Sequence, residues 1–375
     1  MDQYVDTAAA LAEVAPALRR APRIAVDTEA ASFHRYRDRI YLLQLAAPGL
    51  SLIVDPVAVE DLSAIGALLA DPAIEKIFHD ADYDLRVLDR DYSFHARRVF
   101  DTRVAAQLAG EPAIGLAALL DKHLGVKLSK THQKADWSLR PLSPAMLAYA
   151  ADDTRHLLEL RDRLAAQLAA LGRAAWADEE FQRIEGFRWT AGVDGEEPYL
   201  RIKGAKQLSP LSLAALRELV RWRESVAARE DKAVFRIIGN EELVAVATAM
   251  PADATALAKV ARLPGALARR HGPALLEAVA RAAALPASEL PHLLRMQRPP
   301  KDPAFDGRVE RLKQVRNRVA GELGLDPGVL CGRATLEAVA RAVPLPKDRA
   351  GLAQLGELRR WQLEALGEAL LAVLP

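Results

Sequence analysis

Apolar positions change their period twice along this chain. An alanine-rich stretch within residues 1–22, following Thr7 as a candidate N-cap, reads as a helix. Short apolar runs at Arg23 to Val26, Ile40 to Ala46 and Leu50 to Val54, separated by turns, predict three strands. Helix and strand signals then alternate: a helix over Leu62 to Leu69, a strand over Lys76 to Phe78, a helix from Leu85, a strand over Arg98 to Phe100, then helices. Ser143 and Pro144 suit the cap and first position of a helix running to about Leu171. The alternation specifies a mixed α/β domain over residues 1–190.

Gly192, Gly195, Pro198, Gly204 and Pro210 interrupt any regular pattern and predict a linker over residues 191–208. Beyond it no strand pattern persists, and the chain repeats itself. Gly239 to Pro251 aligns with Gly332 to Pro344 at an offset of 93, so that Leu243, Ala245, Val246 and Ala247 fall on Leu336, Ala338, Val339 and Ala340. Leu257-Ala258 and Gly272 align with Leu352-Ala353 and Gly367 at an offset of 95. Two copies of one all-α module are expected, over residues 209–290 and 300–375.

Composition narrows the function classes. The chain has 375 residues, is 51% hydrophobic and carries a net charge of +1, so a nucleic-acid surface would have to be a local patch. Its one cysteine, Cys331, permits no internal disulfide and is expected to be a small buried side chain. No stretch approaches the roughly 18 apolar residues of a membrane span, and no basic leader precedes an apolar run. A cytoplasmic monomer with no membrane partner is the expectation.

The candidate chemistry lies in three acidic segments. Asp27 and Glu29 follow an apolar run, and their spacing of two puts them on one face at a strand's end. Asp84 lies in His79-Asp80-Ala81-Asp82-Tyr83-Asp84. Tyr149 and Asp153 are four apart in a helical segment and share a face. Four gathered carboxylates repel one another. Hard divalent cations with oxygen ligands relieve that repulsion, and a pair of them assists phosphodiester cleavage.

In order and context these segments resemble the three motifs of the DEDD exonucleases, in the branch with tyrosine in the third motif, and specifically the ribonuclease D family. Phe100-Asp101-Thr102 and Asp136-Trp137-Ser138-Leu139-Arg140-Pro141-Leu142 add to the likeness, and the repeats resemble HRDC domains. The resemblance implies a ribonuclease-H-like α/β exonuclease domain followed by two all-α HRDC-like domains. It implies a 3′→5′ exoribonuclease that trims RNA 3′ ends, with precursor tRNA as substrate class, releasing nucleoside 5′-monophosphates. It also implies two divalent ions, Mg²⁺ or Mn²⁺: Asp27, Glu29 and Asp153 would hold the ion nearest the attacking water, and Asp84 the second, bridged by Asp27. Tyr149 would orient the water as a neutral partner rather than act as a true base. Ala30 stands where this family usually has phenylalanine.

Other residues have blander readings. Asp80, Asp82 and Asp152 read as surface charges or as supports behind the motif residues, Asp101 as a cap for the next helix, and His79 as a strand terminator. Trp137, Trp189, Trp222 and Trp361 read as core or interface. Residues 122–140 carry a net charge of +4 and read as a loop in which Lys127, Lys130, Lys134 and Arg140 grip phosphate. A second basic stretch, Arg295 to Arg318, ends in an amphipathic helix with Val309, Leu312, Val315 and Val319 on one face. The competing functions are a DNA 3′→5′ exonuclease, which the motifs do not separate from an RNA enzyme, and a non-catalytic RNA-binding adaptor, which would have lost a ligand.

Overall fold

Residues 40–47 are buried at every position, and their sequence is accordingly an almost continuous apolar run. They form a middle strand of a six-stranded sheet in the computed structural model, which describes residues 2–129, 131–190, 197–291, 302 and 304–374. The nuclease portion runs β1 (Asp2–Val5), α1 (Ala8–Arg20), β2 (Arg23–Ala30), β3 (Ile40–Ala47), β4 (Leu50–Val54), α2 (Ser63–Ala70), β5 (Glu75–Phe78), α3 (Ala81–Tyr92), β6 (Val99–Asp101), α4 (Thr102–Ala109), α5 (Leu116–Leu124), α6 (Pro144–Arg155), α7 (Leu157–Ala170) and α8 (Ala174–Glu185). Strand order is β1-β4-β3-β2-β5-β6. β3 and β4 are antiparallel, whereas β1 is parallel to β4, β5 to β2, and β6 to β5.

The sequence pattern did not predict β1. It is an edge strand of four residues in which only Val5 is fully buried, too short for an alternation signal. β2 is longer than expected and runs through Ala30, so Asp27 and Glu29 lie within the strand rather than beyond it. The helix expected from Ser143 to about Leu171 is divided at His156 (φ −104°, ψ −1°). Its halves pack on different partners: α6 on β3 and β4, α7 on α4, α5 and β5. Ser143 caps α6 as expected, its hydroxyl accepting from Met146 N at 3.2 Å.

The structure separates into two compact units: Met1–Glu29, Ile40–Trp189 and Pro299–Pro375 form one, and Ala30–Arg39 with Thr190–Arg298 the other. The second unit contains α9 (Pro210–Glu230), α10 (Val234–Ile237), α11 (Asn240–Ala249), α12 (Ala254–Ala258) and α13 (Gly265–Ala283). Part of the expected linker belongs to its core. Pro198–Arg201 and Ala205–Gln207 form two 3-10 turns that bury Tyr199, Ile202 and Ala205 against α9, while residues 191–196 lie outside the described ones. Ala30–Arg39 joins this unit through Ala233 N donating to His34 O at 3.1 Å.

The second helical repeat, α14 (Phe305–Leu323), α15 (Pro327–Leu330), α16 (Arg333–Arg341), α17 (Arg349–Gln354) and α18 (Arg360–Leu371), shares one continuous core with the nuclease portion. The two repeats bury equivalent positions: Leu243, Val246 and Ala247 in one, Leu336, Val339 and Ala340 in the other. Asp253 and Asp348, 95 apart, cap α12 and α17 alike. Trp361 stacks on Trp176 with centroids 5.0 Å apart, and its ring N–H donates to Glu180 at 2.8 Å. Arg173 donates to Leu323 O, and a Cβ at Gly110 (φ 80°) would collide with Gly324 O. Cys331 is buried as expected.

On α14 the expected apolar face is present, with Leu312 and Val319 buried. Two of its arginines turn inward to carbonyls, Arg308 to Ala340 O and Arg316 to Cys331 O. Residues 295–301 of that basic stretch lie outside the described ones. Among the tryptophans, Trp137 and Trp361 are core, and Trp189 is 43% exposed with the Arg90 guanidinium 4.9 Å over its ring. Among the described residues, no helix is long and apolar enough to cross a membrane.

Candidate active site

Strand pleating sends Asp27 and Glu29 to one face of β2 and Thr28 to the other. Thr28 is buried and donates its hydroxyl to Asp84 Oδ1. Asp84 lies in the first turn of α3, where the helix dipole favours an anion. The turn into α3 is fixed by Asp101, whose carboxylate accepts from Asp80 N at 3.2 Å and Ala81 N at 2.8 Å. The same carboxylate accepts from Arg103 N at 2.8 Å and Val104 N at 3.1 Å, capping α4 as expected. One buried aspartate therefore positions two helix starts around the site.

α6 brings the third segment to β2. Oxygens of Asp27, Glu29 and Asp153 all lie within 4.8 Å of one another. Asp84 stands outside this triple, yet its charge is felt by both Asp27 and Glu29. Tyr149, one turn before Asp153, sits edge-on to His132 (centroids 5.9 Å apart) and tilted against Trp137 (6.0 Å). Asp27, Glu29, Tyr149 and Asp153, though not Asp84, line a cavity of about 580 Å³, with His79, Asp80, Arg103, Ser129 and Gln133 on its other walls.

The electrostatics of this cluster are unfavourable by themselves. Burial, then the repulsion of Asp84, Asp153 and Glu29, holds Asp27 well above the usual carboxylate range. Burial and then Asp153 and Asp84 do the same to Glu29. Asp84 and Asp153 are each pushed up to about 7, chiefly by burial. Among the described residues no lysine or arginine pairs with any of the four. A converging set of hard oxygen donors lacking a protein counter-charge fits a divalent cation. Burial and the charges of Asp153, Glu29 and Asp27 raise the Tyr149 phenol above its ordinary 10, so it remains protonated.

The neighbouring acids are surface charges, as expected: Asp80 pairs with Arg103, Asp82 with Arg86 at 2.8 Å, and Asp152 with Arg155 at 2.9 Å. The expected phosphate grip needs correction at Arg140. Its guanidinium donates to both oxygens of Asp55 and to the carbonyls of Tyr41, Trp137 and Leu139, leaving no donor for phosphate. Burial alone would raise the Asp55 pKa, but the bonds from Arg140 and Tyr4 outweigh it and hold the carboxyl low. Lys127 and Lys134 are exposed, and Lys130 lies outside the described residues. Sequence reasoning gave no role at the site to Thr28, Arg103 or His79; their partners lie 20 or more residues away, beyond the reach of local pattern.

Comparison with known proteins agrees with this geometry. Residues 3–169 match the family model for a 3′-5′ exonuclease, and residues 212–279 and 305–374 match the HRDC domain. A ribonuclease D of Pseudomonas paraeruginosa is 30% identical over 373 residues, 99% of this chain and 97% of that one. The chain belongs to the ribonuclease D family. A ribonuclease D of Granulibacter bethesdensis is 34% identical over 76% of this chain and 72% of its own. The crystal structure of Escherichia coli RNase D, described as an exoribonuclease involved in structured RNA processing, superposes with a TM-score of 0.72 at 28% identity, covering 100% of this chain and 98% of that one. As a member of this family the protein is a 3′→5′ exoribonuclease with an α/β nuclease domain and two HRDC domains, and the fold and activity implied by the motifs stand.

Proposed function

We propose that this exoribonuclease trims the single-stranded 3′ ends of structured RNA, precursor tRNA being the substrate class, and releases nucleoside 5′-monophosphates one at a time. The observation that carries the reading is the convergence of Asp27, Glu29 and Asp153 beside Tyr149 in one nucleotide-sized cavity. Asp27, Glu29, Asp153 and, at their flank, Asp84 are the residues that would hold two divalent cations, Mg²⁺ or Mn²⁺. When bound, such cations let the carboxylates ionise together and offset the negative charge that grows on the phosphate.

The chain's own residues supply the rest. Tyr149 keeps its proton, so its hydroxyl orients the attacking water through a hydrogen bond rather than abstracting a proton from it. Thr28 fixes the rotamer of Asp84 from the opposite face of β2. Arg103 on the cavity wall is already paired with Asp80, so the positive charge for the upstream backbone comes from exposed Lys127 and Lys134.

The test is a 5′-labelled tRNA precursor with a 3′ trailer, digested alongside a DNA oligomer of the same sequence with Mg²⁺, with Mn²⁺ and with EDTA. Stepwise shortening of the RNA to the mature end, lost in EDTA and in Asp84→Ala, is the expected result. Undiminished activity in Asp84→Ala would remove the site assignment, and equal digestion of the DNA would remove the RNA assignment.

A further inference from the structure

One side chain in the wall of the catalytic cavity takes no part in this chemistry. His79 directly follows β5 and lines the cavity together with Asp27, Glu29, Tyr149 and Asp153. Its Nδ1 lies 2.9 Å from the hydroxyl oxygen of Thr102. That hydroxyl has one proton and donates it to Phe78 O at 3.0 Å. Toward His79 it can therefore only accept, and the imidazole proton sits on Nδ1. Nε2 is left as a bare acceptor. Among the described residues it has no partner, and it is not sealed from solvent.

We propose that His79 Nε2 accepts a hydrogen bond from the 2′-hydroxyl of the RNA's 3′-terminal nucleotide, making His79 a specificity-determining residue for ribose over deoxyribose; the inference rests on the exoribonuclease reading above. The chemistry of the nitrogen selects the partner. An acceptor does not bind phosphate oxygens, which are acceptors too. Imidazole is a poor match for the hard cations suited to the neighbouring carboxylates. Burial holds the ring neutral, with its pKa lowered to about 4, so it adds no charge to the site. What remains is a neutral donor on the nucleotide whose phosphate reaches the carboxylates. The 2′-hydroxyl is the donor that RNA has and DNA lacks.

The ring is also held in place. The next residue, Asp80, adopts a left-handed conformation (φ 69°), and the amides of Asp80 and Ala81 are both bound by the Asp101 carboxylate. Thr102, which fixes the tautomer, is the residue after Asp101 and is fully buried. The hydrogen bonds that start α3 and α4 thus also aim Nε2.

The test compares release of the first nucleotide from an all-ribose oligomer and from the same oligomer ending in a 2′-deoxynucleotide, with each of the four terminal bases. Wild type is expected to favour the ribose end by roughly three- to tenfold, the size of one neutral hydrogen bond. His79→Ala should bring that ratio close to one. Thr102→Val, which leaves Nδ1–H without an acceptor and frees the tautomer, should also lower it, whereas Thr102→Ser should keep it. Because the ratio is taken within each variant, a general loss of folded protein cancels. A ratio unchanged in His79→Ala, or a loss that follows the terminal base instead of the 2′-hydroxyl, overturns the assignment. A wild type that shortens neither oligomer overturns the exoribonuclease reading as well, and is distinguished from the other failures in that way.

Discussion

Replacing Asp153 with asparagine should stabilise the metal-free protein while abolishing its activity. The Asp153 carboxyl is raised from 3.8 to about 7 by burial and by Asp152. Between those values the folded state binds a proton that the unfolded state has lost. The unfolding free energy therefore falls as pH rises through this window. Once the group is ionised, above about pH 7, the penalty reaches about 4 kcal/mol at 1.36 kcal/mol per pH unit. Asparagine removes the charge but keeps a buried polar group, so the expected net gain is about 1–3 kcal/mol at pH 8. Most of it should vanish by pH 5, and all of it below pH 4. Urea denaturation in EDTA at pH 8 and pH 5 measures this directly. Adding Mg²⁺ should reverse the order, because a ligand that binds only the folded state at 100 times its Kd stabilises wild type by about 2.7 kcal/mol, and the variant has lost a donor. If Asp153→Asn proves less stable than wild type in EDTA at pH 8, the carboxylates are not in conflict and the argument for a cation fails.

Three further perturbations separate roles that lie close together. Tyr149→Phe should lower activity by tenfold or more while leaving the Mg²⁺-induced rise in Tm intact, since the phenol orients water and holds no cation; a lost Tm response would make it a ligand. Arg140→Ala should cost about 3 kcal/mol by stranding buried Asp55, without changing the salt dependence of RNA binding, whereas Lys127→Ala with Lys134→Ala should flatten that salt slope with little effect on Tm. Trp361→Ala should cost about 3–5 kcal/mol and lower the Tm of the nuclease core itself, because Trp361 stacks on Trp176 and its indole binds Glu180; unfolding of the second repeat alone, with activity retained, would contradict that.

What could be read from the sequence was set by spacing. Asp27 and Glu29 share a strand face because the side-chain period is two, and Tyr149 and Asp153 share a helix face because they are four apart. Their convergence follows from where β2 and α6 pack. The helical repeat was legible because its leucines recur, Leu243 with Leu336 at an offset of 93 and Leu257 with Leu352 at 95. Its attachment to the nuclease was not, because Trp361 looks the same whether it packs within its own module or against Trp176. Arg140 misled for a related reason. A net charge counted along residues 122–140 assumes that each cation faces water, and only the fold shows Asp55 beneath it. His79 is the clearest case. Whether an imidazole nitrogen gives or takes a proton depends on a threonine 23 residues away, and on the carbonyl to which that threonine is committed. Motif spacing thus locates the carboxylates, while the hydrogen bonds around them are decided by residues distant in sequence, as Thr102 and Phe78 O decide the tautomer of His79.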